Sequence, residues 1–139
     1  MKKISLYLFC LLLFLSPTLF AIENANNIKV TKLIETDSSW EKTKIFYPKG
    51  DTKITALLVE MQPQAKMQMH HHEVPSFGYI LEGTIRVQSE SDDMKTFSKG
   101  DVVIEMINKK HSGVNTGESI TKFIVFYMGT EDLKNTIIE

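Results

Sequence analysis

The sequence predicts an all-β domain, an antiparallel sandwich or barrel. Three observations carry that expectation. Runs rich in Val, Ile, Thr and aromatic residues recur along most of the chain, as in "TKITALLVEM" and "ITKFIVFYMG". Turn-forming Gly, Pro, Asn, Asp and Ser clusters separate them every eight to twelve residues. Between residues 22 and 139 no window shows apolar residues at helical spacing.

The N-terminus is different in kind. "MKK" is a short cationic start, and the run from Ile4 to Leu15 is almost wholly apolar. That run is short for a bilayer span, which needs about 20 apolar residues. Pro17 interrupts the sequence after it and Ala21 offers a small residue for cleavage. The layout is that of a secretory signal peptide over residues 1–21. Cys10 lies inside the apolar run without the small residue before it that a lipid-attachment site needs. Residues 1–21 hold Lys2, Lys3 and the single cysteine, so the expected mature chain has 14 basic and 17 acidic side chains, a net charge of −3 and no thiol. The expected location is periplasmic or secreted, with no membrane attachment in the mature form. A metal site there would use imidazole, carboxylate, thioether or water. The weak negative charge and the lack of a basic stripe argue against a nucleic-acid partner.

Residues 22–51 read as an N-terminal arm with lead-in strands at "IKVTKLIE" and at the start of "KIFYPKGD", where Pro48 to Asp51 form a turn. Residues 52–130 read as the barrel proper. "TKITALLVEM" is its first strand, ended by Pro63; "FGYILEG" and "TIRVQSE" are two strands meeting at Glu82-Gly83; "MKTF" is a short strand. "SKGD" turns at Gly100-Asp101, "VVIEMI" is a strand, "NKKHSGVNTGES" is mostly turn, and "ITKFIVFYMG" is the strongest strand. Residues 131–139 form a tail, read as one short helical turn.

Three of the four histidines fall in "KMQMHHH". In an extended strand residues i and i+2 share a face, so His70 and His72 point one way with Gln68, and Met67, Met69 and His71 point the other. The pair can converge on one ion, with His111 as the remaining imidazole. A solvated histidine patch has the same spacing, and the pattern alone does not separate the two. Met61, Met67 and Met69 read as packing, a Met/His copper site being disfavoured by strand parity. Phe77 and Tyr79 read as packing, Gly83 and Gly100 as turn residues that tolerate positive φ, and Asn115 as a side chain that fixes a turn.

These residues, taken together, resemble the two motifs of the cupin superfamily. The first places Gln64 at the initial Gly, His70 and His72 at the His pair, Ser76 at the Glu and Gly83 at the final Gly. The second places Gly100, Met106 at the Pro, Asn108 at the Gly, His111, and Asn115. The resemblance covers roughly residues 52–129 and implies a jelly-roll-like antiparallel β-barrel, the double-stranded β-helix. It also implies a divalent metal (Fe, Mn, Ni, Cu or Zn) held by His70, His72 and His111.

Ser76 at the Glu position leaves three alternatives: a three-His centre with water, a substitute carboxylate, or a polar pocket without metal. Glu105 is the better substitute, because Glu73 follows His72 directly and a regular strand aims it away. Tyr79 and Glu105 are the nearest acid–base groups to the motifs. Three neutral imidazoles leave the ion's charge uncompensated, which suits Lewis-acid chemistry and an anionic ligand. The expected function is a metal-dependent enzyme acting on a small polar or anionic metabolite; a non-catalytic metal- or metabolite-binding module is the alternative. Oxygenases that need 2-oxoglutarate fit poorly outside the cytoplasm. Small cupins commonly pair, so a homodimer is expected, with the arm crossing to the partner's sheet edge.

Overall fold

The computed structural model describes residues 27–139. The signal-peptide expectation lies outside the described residues. The body described below is the compact unit Lys32–Glu139.

Nine strands build that body: β1 Thr52–Met61, β2 His70–His71, β3 Ser76–Glu82, β4 Thr84–Ser89, β5 Met94–Ser98, β6 Val102–Ile104, β7 His111–Asn115, β8 Thr121–Thr130 and β9 Ile137–Ile138. They form two sheets, ordered β1-β8-β3-β6 and β5-β4-β7-β2-β9. Every pairing between named strands is antiparallel. The described residues contain no α-helix, and no helix is long and apolar enough to cross a membrane. The arrangement is all-β and jelly-roll-like.

Side-chain alternation decides what faces the interior. On β8, Phe123, Val125 and Tyr127 are buried; Ile124, Phe126 and Met128 face the other way. On β3, Ser76, Gly78 and Ile80 turn inward, and Phe77 and Tyr79 turn outward. β4 contributes Ile85 and Val87, β5 contributes Phe97 and β6 contributes Val103. Each fully buried aliphatic side chain contributes roughly 1.5–3 kcal/mol, so this shared interior, fed by both sheets, is what closes the body.

All four glycine positions of the resemblance have left-handed backbone, whether or not glycine occupies them. Gly83 and Gly100 have φ of 73° and 94°, while Gln64 and Asn108 have φ of 64° and 56°. At Gly83 a Cβ would also meet Thr121 Oγ1 at 2.7 Å, so the β3–β4 turn needs glycine for space as well. Asn tolerates this region through local hydrogen bonding; Gln has no such advantage, so position 64 carries backbone strain. Asn115, wholly buried, donates from Nδ2 to the carbonyls of Met61, Gln62 and Ser119 and accepts from Gly117 N–H at 2.9 Å. It ties the end of β1 to the β7–β8 turn.

Three local expectations differ from the structure. The segment "NKKHSGVNTGES", read as mostly turn, carries β7 over His111–Asn115, because β4 and β2 flank it with backbone partners. The lead-in strands of residues 28–47 are absent; an isolated bridge between Ser38 and Lys44 is the only ladder there. Their β-branched composition finds no neighbouring strand, and a strand without a partner leaves its backbone groups unpaired. The tail carries the short strand β9 in place of a helical turn, because β2 offers it a free edge: His70 pairs with Ile138 and His71 with Ile137.

Candidate metal centre

β2 and β7 bring His70 and His111 directly opposite each other in register. His72, two residues on, projects to the same side. The ring centroids lie 4.5 Å (His70–His111), 4.9 Å (His72–His111) and 5.1 Å (His70–His72) apart. One ring nitrogen from each residue falls within 4.8 Å of the others, and all three side chains are buried. The expected convergence of residues 70, 72 and 111 is what the structure has.

Each imidazole is oriented by a backbone carbonyl. His70 Nδ1 lies 2.7 Å from Gln68 O, His72 Nδ1 2.7 Å from Asn135 O, and His111 Nδ1 3.0 Å from Lys109 O. A carbonyl oxygen only accepts, so the proton sits on Nδ1 in all three rings and each Nε2 keeps its lone pair. Burial lowers the pKa of all three, that of His72 to about 3, and their mutual proximity pushes the same way for His70 and His72. The neutral rings are thus preset as donors, the usual role of a carbonyl behind a ligating histidine.

Glu105 stands beside the three imidazoles, nearest to His111. Its backbone N–H donates to Ser76 O at 3.0 Å, extending the β3–β6 ladder by one step past Phe77–Ile104. Residues 76 and 105 are therefore cross-strand neighbours on one face. The position where the resemblance has Glu holds a buried Ser, and a carboxylate enters from the facing strand. Glu105 Oε2 lies 3.5 Å from His111 Nε2, and neither atom has a hydrogen-bond partner; Ser76 Oγ is also buried without one. Burial raises the Glu105 carboxyl to about 7, with the charge of His70 pulling against it. Two buried acceptors facing each other repel unless a proton or a cation lies between them. Three unprotonated Nε2 atoms and one carboxylate are a donor set that fits a divalent transition metal.

Other sequence-selected residues sit elsewhere. Gln68 does not share the histidine face: it is exposed, and Met67 lines the interior instead. The chain bends at Met69, so strand parity does not run through residues 67–70. Tyr79 faces outward from β3 and is no acid–base group of this site. Glu73 accepts from Lys134 N–H at 2.7 Å and holds the tail. His71 turns away and meets Glu139 at 3.1 Å.

Two contributors were not singled out from the sequence. Tyr127 lines the cavity with its ring 5.4 Å from that of His72, and its alternation with Phe123 and Val125 on β8 was the signal available. The tail supplies the His72 anchor through Asn135 O, and Thr136 Oγ1 lies 3.4 Å from both His72 Nδ1 and the Tyr127 hydroxyl. A cavity of about 70 Å³ adjoins the imidazoles, walled mostly by aliphatic and aromatic side chains.

The structure is a small all-β domain in which three imidazoles converge on a point that could hold a metal ion. The cupin-domain family profile matches residues 57–127, and the chain belongs to the cupin family. No curated protein matches the sequence.

Solved structures share the fold. One is Bacillus subtilis oxalate decarboxylase, studied for its Mn(II) centres, with 20% identity and a TM-score of 0.53 over 61% of this chain and 23% of that one. Another is a DMSP lyase from Ruegeria pomeroyi DSS-3, with 19% identity and a TM-score of 0.53 over 61% of this chain and 42% of that one. A third is an uncharacterized conserved protein with a double-stranded β-helix domain from Klebsiella pneumoniae, with 12% identity and a TM-score of 0.55 over 68% of this chain and 89% of that one. The chain spans less than half the length of the first two.

Proposed function

We propose that this cupin is a metal-dependent enzyme acting on a small ligand, with His70, His72, His111 and Glu105 as the metal-holding set. The observation that carries the reading is the pairing of three carbonyl-anchored imidazoles with an unpartnered buried carboxylate 3.5 Å from one of them. A metal bound there supplies Lewis-acid or redox chemistry, and the donor set accommodates Fe, Mn, Ni, Cu or Zn. The chain's own part is distinct. The three carbonyls fix the rings, Glu105 offsets one positive charge, the apolar wall excludes bulk water, and the Tyr127 hydroxyl is the one hydrogen-bonding side chain in the cavity wall besides the four donors.

The test is elemental analysis of untagged protein, followed by turnover assays on metal-loaded samples. One equivalent of metal with turnover supports the reading; no metal above background in protein that is folded overturns it. The same scarcity of acid–base groups favours a second reading, a binding module that captures a metal or small molecule without turning it over. Tight metal with no turnover on a broad panel would select it.

We further propose that the chain is exported and cleaved after Ala21, on the charge and hydropathy pattern of residues 1–21. N-terminal sequencing of protein from the cell envelope tests this. A homodimer is also proposed, with a two-fold contact through the outer face of β1-β8-β3. Ile54, Leu58 and Phe126 there are 61%, 62% and 40% exposed, on a sheet side that in a lone antiparallel domain is ordinarily polar. A self-complementary apolar face closes on a second copy of itself. Light scattering gives the mass, and Phe126→Glu should yield the monomer.

A further inference from the structure

We infer that the ligand reaching this centre has about three to four non-hydrogen atoms, with one anionic or neutral donor group at one end and an apolar remainder; the inference rests on the metal reading above. Size is the first constraint. A dry cavity of about 150 Å³ accommodates benzene, so by proportion one of about 70 Å³ takes roughly three atoms of that size. Metabolite sites are commonly several times larger, about 300–1,000 Å³. Val103, Ile80 and Phe123 form the wall that sets the limit.

Charge is the second constraint. No Lys or Arg lines the cavity. The single arginine of the chain, Arg86, is exposed on the side of β4 opposite Ile85 and Val87. The lysines next to His111 are engaged elsewhere: Lys109 pairs with Glu41 at 3.1 Å and Lys110 with Glu139 at 3.0 Å. A second carboxylate on the ligand would lie among valines and isoleucines without a counter-ion, beside the negative charge of Glu105. Burying an unpaired charge is far more costly than the contacts there can offset. The cavity therefore selects against dicarboxylates.

The experiment uses the full chain with labelled Ile and Val methyl groups and nitrogen-labelled histidines, observed by NMR. Zinc alone is added first and should shift the Nε2 signals of His70, His72 and His111. Formate, acetate, longer straight-chain monocarboxylates to hexanoate, and malonate are then titrated into the zinc form. Formate and acetate should perturb the methyls of Ile80, Val103 and Val125. Binding should weaken at least tenfold by butanoate, and malonate should bind at least tenfold more weakly than acetate. Val103→Ala should move the chain-length limit upward by one or two carbons; Ile80→Val is the smaller enlargement if the first variant does not fold. Hexanoate or malonate binding as tightly as acetate, or no methyl response to formate and acetate in zinc-loaded protein, overturns the inference while leaving the metal reading in place. Imidazole signals unmoved by zinc overturn both.

Discussion

On the β2–β7 wall each imidazole gives its Nδ1–H to a carbonyl, and the rings stay neutral through burial. On the facing wall Glu105 has its Oε2 buried without any hydrogen bond, and its carboxyl is held up at about 7. The Nδ1 protons of the first wall are satisfied by the protein alone, while His111 Nε2 and Glu105 Oε2 face each other and need a cation or a proton between them. A site that was merely a polar core would pair its groups with each other. Here two of the four buried polar atoms without a partner among the described residues, Glu105 Oε2 and His111 Nε2, face each other in the cavity wall, beside Ser76 Oγ and apart from Trp40 Nε1, and that pairing of open acceptors is what a binding site has and packing avoids.

The largest effect should come from the imidazole wall. His72→Ala or His111→Ala should lower metal affinity by more than about 100-fold, beyond the roughly 10–100-fold that supporting groups contribute, read as metal content after dialysis. Next comes the carboxylate wall. Glu105→Gln should weaken metal binding by about 10–100-fold, yet raise the melting temperature of the chelator-treated protein at pH 8, where a buried ionised carboxylate opposes folding. The pair Ser76→Glu with Glu105→Ser returns the carboxylate across the ladder and should recover most of the affinity. Failure of that rescue, with the fold intact, would show that residues 76 and 105 are not equivalent.

The pH dependence of the metal-free protein sharpens the contrast. His72 has a folded pKa of about 3 against 6.5 unfolded, so its stabilising share is present above 6.5 and lost as pH falls from there toward 3. Glu105 runs the other way: folded at about 7 against 4.5, it favours the fold below 4.5 and loses that contribution as pH rises through 7. Calorimetry should show stability rising from pH 3 to 6.5, and rising more steeply between 4.5 and 7 in Glu105→Gln. A smaller effect is expected from deleting residues 135–139, which removes the carbonyl behind His72: about a 10-fold loss of metal affinity, the low end of the supporting-group range. Least of all, Tyr79→Ser on the outer face should leave affinity within about twofold.

Much of the fold was legible because strong alternation needs no knowledge of partners: "FIVFY" sorts itself into inward Phe123, Val125, Tyr127 and outward Ile124, Phe126. His70 and His72 were legible for the same reason. Gln68 and Met67 were assigned to the wrong sides because parity holds only within an unbroken strand, and the bend at Met69 breaks it. The role of Glu105 depends on its register against Ser76, a pairing between segments that local sequence does not encode. The anchor on His72 is a main-chain oxygen 63 residues away, to which no side-chain pattern points. "IKVTKLIE" has the composition of a strand but no neighbour to pair with.

The tail ties the orientation of one imidazole to the docking of a short edge strand. The oxygen that steers the ring of residue 72 belongs to residue 135, two positions before β9, whose pairing with β2 holds the tail in place. Fraying of β9 from β2 therefore releases that ring as well. Local opening at one sheet edge and loss of the histidine geometry are a single event.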